Sequence, residues 1–422
     1  MLDSGFRRND GWLMRILLRL AWRNLWRHKR RTWLTASAIA FATTLLVFMI
    51  SLQLGAYDMF IDVSLRVFTG QMQVQREGYK EKPQMRSTVP NAAALAVQLR
   101  KTTGLETIAV RAQGFALASS AARSYGVPVV GVEPDFEPRV STLPQLIKEG
   151  RYLSAANAQE VVLGAALARN LKIKIGDELT LLGSGKDGSI AATIVPVVGI
   201  FESGNPELDR HLVQLPLKTF QEVFSMGEDA HAVVVSGSNY EAIPRTKAAV
   251  AAQLAPGSRL AVLDWEQLIP GLKQLIQTDM VQNWITYIAL ILIVTLSIMN
   301  TFLMSVLERT REFGIMLALG VSPRQIGIVV LLESLFLTLL GLAIGMAIGG
   351  GIAVWLHFTG FSFPGMKEIY AQYGLPGEIH PKLSLASFTL GPAVILVFTM
   401  LAALYPALRI RKLQPVEAIH AV

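Results

Sequence analysis

Four long apolar segments constrain what this 422-residue chain can fold into. Three of them contain no Asp, Glu, Lys or Arg over at least 26 residues, and the fourth contains only Glu333. An α-helix rises 1.5 Å per residue, so about 20 apolar residues cross the roughly 30 Å hydrocarbon core of a bilayer. The sequence therefore predicts an α-helical membrane protein with four transmembrane helices, at 32–57, 280–307, 325–357 and 383–408.

The charges that flank these segments predict the orientation of the chain. Residues 1–31 contain nine Lys or Arg and two Asp, and 308–324 contains three basic and two acidic residues. The tail at 409–422 has three Lys or Arg against one Glu, whereas 358–382 has two of each sign. The positive-inside rule places both termini and 308–324 in the cytoplasm. It places 358–382 and the large segment 58–279 outside.

The residues before the first span predict an amphipathic elbow helix. From Met14 onward an arginine recurs every fourth residue, and two tryptophans lie on another face. Such a helix lies among the lipid headgroups, where Trp and Arg are interfacial anchors. The 26-residue apolar stretch that follows is too long for a signal-peptide core, and no A-x-A-type site ends it. We expect an uncleaved anchor. Helical patterning begins only at Met14, which makes that residue an alternative start.

The 58–279 segment predicts a mixed α/β domain inserted between the first and second spans. Alternating or buried strand patterns occur at 70–77 and 127–134, and helical patterns occur at 91–101 and 240–254. The chain contains no cysteine, so this domain depends on packing alone, without disulfides. A helical pattern runs from Asp264 towards the second span, and we expect Pro270 to bend it.

Composition argues against nucleic acid as a partner. The net charge of +8 resides in the regions next to the membrane, because 58–279 contains 22 basic and 23 acidic residues. A basic stripe of the kind that follows a phosphate backbone is therefore not expected.

The stretch GSGKDGS at 183–189 resembles a phosphate-binding loop only superficially. A Walker A motif requires G-x-x-x-x-G-K-[ST], in which backbone amides surround the phosphates and the hydroxyl binds Mg²⁺. Thr180 stands where the first glycine should be, and Asp187 replaces the hydroxyl residue. We predict a hairpin turn here.

No catalytic or metal-binding pattern was found in the sequence. The six histidines lack metal-ligand spacing, and no nucleophile motif is present. The polar triplet Asp209, Arg210 and His211 is predicted to lie in a solvated loop. We expect no catalytic residue, cofactor or metal in this chain.

Two polar side chains are predicted within the membrane. Glu333 follows Arg324 by nine residues, about 13 Å along a helix. A carboxyl group in hydrocarbon costs about 2.5–3.5 kcal/mol, so it should face a partner or water. The alternatives are a polar contact between helices and a place on a substrate or coupling pathway. Asn300 raises the same question.

The third span contains Gly341, Gly345 and Gly349, small residues at every fourth position. This spacing allows another helix to approach closely. The neighbour is either another span of this chain or a second copy across a dimer seam.

The charged link 308–324 predicts a short helix followed by a sharply initiated membrane helix. Glu308 to Leu319 can form about three turns that end at Gly320, a residue typical of helix ends. Ser322 as the N-cap, Pro323 at the first helical position and Gln325 three residues after the cap form a helix-start signature.

The faces of this short helix predict a docking element. Phe313, Met316 and Leu317 form an apolar patch at i, i+3 and i+4. Glu308 and Glu312 share a face, which by itself destabilises a helix slightly, so we expect them to face a cationic partner.

These motifs resemble those of the FtsX/MacB/LolCE-like permeases of ABC transporters, the type VII or mechanotransmission class. In the link, Phe313 stands where a branched aliphatic residue is commoner, and the matching positions are Glu308, Arg309, Arg311, Glu312, Gly314, Ala318, Leu319 and Gly320. The segment YPALRIRKLQPVEAI resembles the closing motif through Pro406, Ala407, Arg409, Leu413, Pro415, Glu417 and Ala418. LAWRNLWRHKRRTWLT resembles the elbow helix of the family, and VVLGAALARNLKIKIGDELTL resembles part of its periplasmic core domain.

The resemblance implies a permease subunit in a bacterial inner membrane, with a MacB-like core domain in the periplasm. It implies a homo- or heterodimer of permeases, each bound to a cytoplasmic ABC ATPase that itself binds ATP and Mg²⁺. The ATPase groove would receive a coupling helix through Glu308, Arg309, Arg311, Glu312, Phe313, Gly314, Met316, Leu317 and Gly320. A periplasmic carrier or adaptor and membrane lipids are further expected partners. We expect lipoprotein or lipid release, and the alternatives are peptide or toxin efflux and FtsX-like signalling to an envelope partner.

Overall fold

The computed structural model describes residues 6–237, 242–362, 364–365, 367 and 377–410. By its internal contacts the chain divides into two units. The helical unit comprises 1–57, 277–362 and 378–422, and the outer unit comprises 58–276 and 363–377. Two long helices contribute residues to both units.

The described part of the helical unit contains four helices that are long and apolar enough to cross a membrane. The helices of this unit are α1 (Phe6–Arg27), α2 (Lys29–Ser64), α10 (Pro270–Glu308), α11 (Thr310–Ala318), α12 (Pro323–Thr359) and α13 (Leu385–Arg409). The spans are α2, α10, α12 and α13, and the outer unit is inserted between the first two. The predicted fold class is confirmed.

Two helix boundaries differ from the prediction. The elbow helix α1 begins at Phe6, eight residues before Met14. Pro270 does not bend a continuous helix, because a separate turn, α9 (Trp265–Leu268), ends before it and Pro270 is the first residue of α10. A proline ring is favourable at this position, where its missing N–H has no intrahelical acceptor.

The three glycines of the third span pack against the first span of the same chain. A Cβ atom at Gly341 would lie 2.6 Å from Ile39 Cβ, and one at Gly345 would lie 2.5 Å from the Ala40 carbonyl oxygen. The Thr44 hydroxyl also donates to the Gly345 carbonyl oxygen at 3.1 Å. Gly349 makes a similar approach to Thr44. Of the two alternatives the structure has the intrachain contact, so this stripe is covered and is not a dimer seam.

The outer unit is built on one mixed sheet of ten strands. In sheet order the strands run β10-β1-β9-β2-β3-β8-β5-β7-β4, with β6 paired to both β2 and β7. The strands are β1 (Met72–Arg76), β2 (Ile108–Ser119), β3 (Ser124–Val132), β4 (Ile147–Gly150), β5 (Val161–Gly164), β6 (Glu178–Ser184), β7 (Ile190–Phe201), β8 (Val213–Pro216), β9 (Ala232–Val235) and β10 (Leu260–Asp264). The β3–β8 and β5–β7 pairs are parallel, and the other pairs are antiparallel.

Short helices complete the outer unit. They are α3 (Ala92–Thr103), α4 (Glu137–Val140), α5 (Ala165–Leu171), α6 (Pro206–His211), α7 (Leu217–Val223), α8 (Ile243–Ala251) and α9. The main core lies between these helices and the sheet, where the rings of Phe220 and Phe224 stack at 4.3 Å. The GSGKDGS stretch forms the turn between β6 and β7, with the Gly185 N–H donating to the Ser189 carbonyl oxygen at 2.9 Å.

The polar triplet is not a solvated loop. Asp209 is buried in α6 and accepts bonds from the Ser203 N–H and hydroxyl, each at 2.7 Å. The carboxylate thus satisfies a backbone group that would otherwise be buried without a partner. Sequence proximity to Arg210 and His211 suggested solvation, whereas the fold turns this one side chain inward.

Candidate coupling site

The link between the second and third spans folds as predicted at its C-terminal side. Helix α11 ends at Ala318, and Gly320 has a φ of +91°, the left-handed region that glycine favours. The Val321 N–H donates to the Met316 carbonyl oxygen, which caps the helix end. Ser322 then forms a capping box with Gln325, at 3.0 and 3.3 Å, and this starts α12. These local bonds end α11 and begin α12.

At its N-terminal side the link differs from the prediction. We expected one helix from Glu308 to Leu319, but the helix breaks at Arg309, which has φ −102° and ψ 12°. Glu308 therefore belongs to the end of α10, and α11 begins at Thr310.

The predicted apolar patch packs at least in part against the protein interior. Phe313 is 1% exposed and packs in a cluster with Ile326 of α12 and Ala407 of α13. Met316 and Leu317 are partly buried against the same cluster. Phe313 is therefore not available to an ATPase groove, whereas the assignment of Met316 and Leu317 to that groove stays a prediction. An i, i+3, i+4 pattern identifies an apolar face but does not say which neighbour covers it.

A different face of α11 is exposed. Arg311, Ile315, Ala318 and Leu319 are spaced at i, i+4, i+7 and i+8 and lie on one side of the helix. Ile315 is 48% exposed and Leu319 is 80% exposed. Exposed apolar side chains grouped beside a charge are typical of a surface that meets another protein. Sequence reasoning assigned Arg311 to this contact but missed the two aliphatic residues.

The cationic groups that face the two glutamates belong to this chain. Arg27 of the elbow helix pairs with Glu312 at 3.1 Å, and Arg31 at the start of α2 pairs with Glu308 at 3.5 Å. Arg309 also reaches Glu312, at 3.2 Å. The two glutamates therefore face cationic groups as expected, but these groups are arginines of the same chain. The sequence signal was present as the regular arginines of the elbow, which we interpreted as lipid anchors only.

Glu333 connects three helices at this site. Its Oε1 accepts a bond from Asn24 of α1 at 2.6 Å, and its Oε2 accepts one from Arg309 at 2.7 Å. The side chains of Arg309 and Glu333 are only 13% and 16% exposed. Of the alternatives for this carboxylate, the structure has the polar contact between helices. A cavity of about 60 Å³ adjoins it, lined in part by Asn24, Arg31 and Arg309.

Of the remaining predicted residues, Pro406, Arg409 and Asn300 lie in the described part of the chain. Pro406 is buried within α13, and Arg409 is exposed at its end. Pro415 and Glu417 lie outside the described residues. Asn300 is on α10 with an exposed side chain.

A second polar network was missed by sequence reasoning. In the helical unit, the Tyr57 hydroxyl donates to Asp279 at 2.6 Å, and Gln53 bonds to both Tyr57 and Tyr287 at 2.6 Å. Asn283 also donates to Asp279, at 2.9 Å. The network joins the first and second spans at the ends that lead to the outer unit. Its sequence signal is polar residues at the ends of two apolar runs, which is too common to identify a pairing.

Metal-ligating groups do not cluster in the described parts of the chain, where no three His, Asp or Glu side chains converge.

Two family profiles match this chain, one over most of the outer unit and one over the C-terminal membrane helices. The family profile described as the MacB-like periplasmic core domain matches residues 32–256, and that of the FtsX-like permease C-terminal region matches 284–415. The transmembrane protein LolC of the lipoprotein-releasing system of Neisseria meningitidis is 22% identical over 325 residues, which is 72% of this chain and 75% of the relative. LolE of Haemophilus influenzae is 24% identical over 364 residues, covering 79% and 82%. The macrolide export ATP-binding/permease protein MacB of Agrobacterium fabrum is 25% identical over 420 residues, covering 95% and 60%.

Proposed function

Because this chain belongs to the FtsX/MacB/LolCE-like family of ABC transporter permeases, we propose that it relays the movement of a separate ATPase to its extracytoplasmic domain. It would act as one of two permease copies in the bacterial inner membrane, with both termini and the link 308–324 in the cytoplasm. ATP and Mg²⁺ would be bound, and ATP hydrolysed, by the partner subunit alone.

The observation that carries the proposal is the construction of α11. The helix presents Arg311, Ile315 and Leu319 outward, and its other face is packed on α12 and α13. An ATPase groove that receives the exposed face would therefore push on a helix that is already attached to two spans. The ion pair of Glu312 with Arg27 attaches α11 to the elbow as well, and Arg31 of the first span pairs with Glu308 at the end of α10, directly before α11.

These attachments support movement of the site as one body. Closely packed helices deform little, so a displacement of α11 shifts its neighbours instead of being absorbed locally. The glycine contacts between α2 and α12 extend the connection along the membrane helices. The chain then needs no catalytic group of its own.

Lipoprotein or lipid release is the cargo assignment that we propose. It rests on LolC and LolE, which match this chain over about three quarters or more of their own lengths. Macrolide-type efflux is the second candidate, because the MacB relative aligns with 95% of this chain.

Co-purification tests the docking face. Leu319→Asp and Ile315→Asp place a charge on the exposed face without disturbing the buried one, and we expect each to abolish recovery of the ATPase subunit with the tagged chain. Ile190→Asp is the matched control, because Ile190 is 81% exposed on β7 of the outer unit. Normal recovery of the ATPase with the Leu319 and Ile315 variants would contradict the docking assignment.

Reconstitution tests the cargo. Vesicles that contain the permease pair, the ATPase and a fluorescent triacylated lipoprotein should lose the label to a soluble lipid acceptor only when ATP is present. Vesicles that hydrolyse ATP and retain the lipoprotein would contradict this cargo. ATP-dependent movement of a macrolide would then support efflux, and no transport of either compound would favour a signalling role.

A further inference from the structure

The outer end of the first-span helix is held by an unusually complete set of hydrogen bonds. An α-helix leaves its last four carbonyl oxygens without partners in its own ladder. Here α2 continues into one π-helical turn, Leu65–Thr69, before Gly70 turns the chain away at a φ of +76°. The carbonyl oxygens of the last four residues of this turn, 66–69, all accept bonds from groups elsewhere in the outer unit. The pairs are Thr142 N to Arg66 O at 2.8 Å, Ser141 Oγ to Val67 O at 2.8 Å, Arg111 Nη1 to Phe68 O, and Gln73 Nε2 to Thr69 O at 2.7 Å.

Arg111 is the centre of this contact. Its side chain is fully buried, and it pairs with the equally buried Glu137 through bonds of 2.6 and 3.1 Å. The third side of the guanidinium donates to the Phe68 carbonyl oxygen, and its carbon lies 4.3 Å from the centre of the Phe68 ring. A planar guanidinium can serve both partners at once because its donors form a fixed fork. The negative end of the helix dipole adds to the attraction.

Core stability alone does not account for this pair. Burying two charges costs desolvation energy, and a well-packed apolar pair of similar volume is often as stable or more stable. What an apolar pair cannot do is bind a helix end. The arginine also stands on β2, which pairs with both β3 and β9 inside the sheet.

Glu137 attaches the same contact to a second element. It begins α4, and the chain directly after α4 supplies Ser141 and Thr142, the donors to two of the carbonyl oxygens. The helix end is therefore held from a central strand and from the α4 segment together. We call the set Arg111, Glu137, Ser141 and Thr142 the stalk joint.

We propose that Arg111, oriented by Glu137, is the positioning residue that fixes the first-span helix rigidly to the sheet of the outer unit. Movement of α2 is then passed to β2 and its paired strands, not lost in a flexible hinge. This inference rests on the proposed function for the source of the movement, but the rigidity of the joint is independent of it. All four residues of the joint and the helix end that they hold belong to the outer unit.

The double variant Arg111→Met with Glu137→Leu tests the joint. It removes both charges and keeps similar volume, so the sheet should fold, while the Phe68 carbonyl oxygen loses its donor. The matched control is Arg139→Met with Glu106→Leu. This variant also removes an arginine–glutamate pair with one member on α4, but the pair is exposed and has no bond to α2. If the double variant unfolds, Arg111→Lys is the second variant. Lysine keeps the charge beside Glu137 but lacks the planar set of donors that bonds to Glu137 and to the Phe68 carbonyl oxygen at once.

Distances between spin labels provide the readout on the full chain. The chain contains no cysteine, so two can be introduced and labelled without background. In nanodiscs without any partner, labels at Asp62 on α2 and Gln98 on α3 should give a narrow distance distribution in the parent chain and the control. In the double variant we expect a clearly broader distribution, with unchanged circular dichroism.

A second measurement adds the ATPase. Labels at Gln98 and at Leu385, which begins α13, should report a distance shift when the ATPase is trapped with ADP and vanadate. The double variant should lose this shift while ATP hydrolysis continues. A variant with the parent width and the parent shift overturns the joint. If the parent chain shows no shift, the proposed function fails, and the first measurement alone decides whether the joint is rigid.

Discussion

Removing the charge of Glu333 should weaken the contact of α12 with the elbow helix and with Arg309 of the link, and should lower the free energy of unfolding. In Glu333→Gln the side chain keeps its shape, and one oxygen can still accept a bond from Asn24. The NH2 group that replaces the other oxygen is a donor, so the 2.7 Å bond from Arg309, which joins two mostly buried groups, is lost. Removing one partner of a buried pair costs about 3–5 kcal/mol when the other is left without compensation.

Arg309 is not left alone, because Glu312 remains 3.2 Å away. The expected loss is therefore smaller and close to that of one charge-assisted hydrogen bond, about 2 kcal/mol. Arg309→Met should cost a similar amount. If the two residues act as a pair, a double-mutant cycle should return a coupling energy on the order of 1–2 kcal/mol.

The assay is equilibrium unfolding of the full chain by SDS in mixed micelles, followed by tryptophan fluorescence. Trp22 of the elbow packs edge-on against Phe336 at 5.7 Å, one turn from Glu333, so release of the elbow changes its environment. Asn300→Leu is the control, because this exposed position should change stability by no more than about 0.5 kcal/mol. Strictly additive energies for the Glu333 and Arg309 variants, or a Glu333→Gln variant as stable as the control, would refute the reasoning.

Two further predictions concern packing and pH. Gly345→Leu should cost about 3 kcal/mol in the same SDS assay, because its first side-chain carbon would lie 2.5 Å from a backbone oxygen of α2. A first side-chain carbon at Gly351 meets nothing within 4 Å, so Gly351→Leu should be nearly neutral. Burial lowers the pKa of His231 to about 4, from the ordinary value near 6.5 that it regains on unfolding. Between these values only the unfolded chain binds the proton, so unfolding of the outer unit should become easier by up to about 3 kcal/mol as the pH falls from 6.5 to 4. His231→Gln keeps an acceptor for the Gln113 N–H, now 2.9 Å from Nδ1, and should flatten this dependence in urea titrations. An equally steep loss in that variant would assign the effect to other groups.

The sequence determined by itself those features that depend on local bonds or on transfer from water to lipid. Four apolar segments of sufficient length dictate four helices, because an unpaired backbone group in hydrocarbon is too costly. The capping box at Ser322, the glycine end at Gly320 and the turn at 183–189 are formed by residues a few positions apart. Their geometry could be read directly from spacing.

Only the tertiary structure decided which surfaces meet. Phe313 was correctly identified as apolar, but its cover is α12 and α13 and not an ATPase. Glu333 was correctly expected to need a partner, yet Asn24 lies 309 positions away in sequence. Arg111 carried no signal at all, because an arginine on a strand is ordinarily exposed. Contacts between distant segments depend on how whole faces pack, and hydropathy or spacing along one element does not specify the neighbour that will cover it.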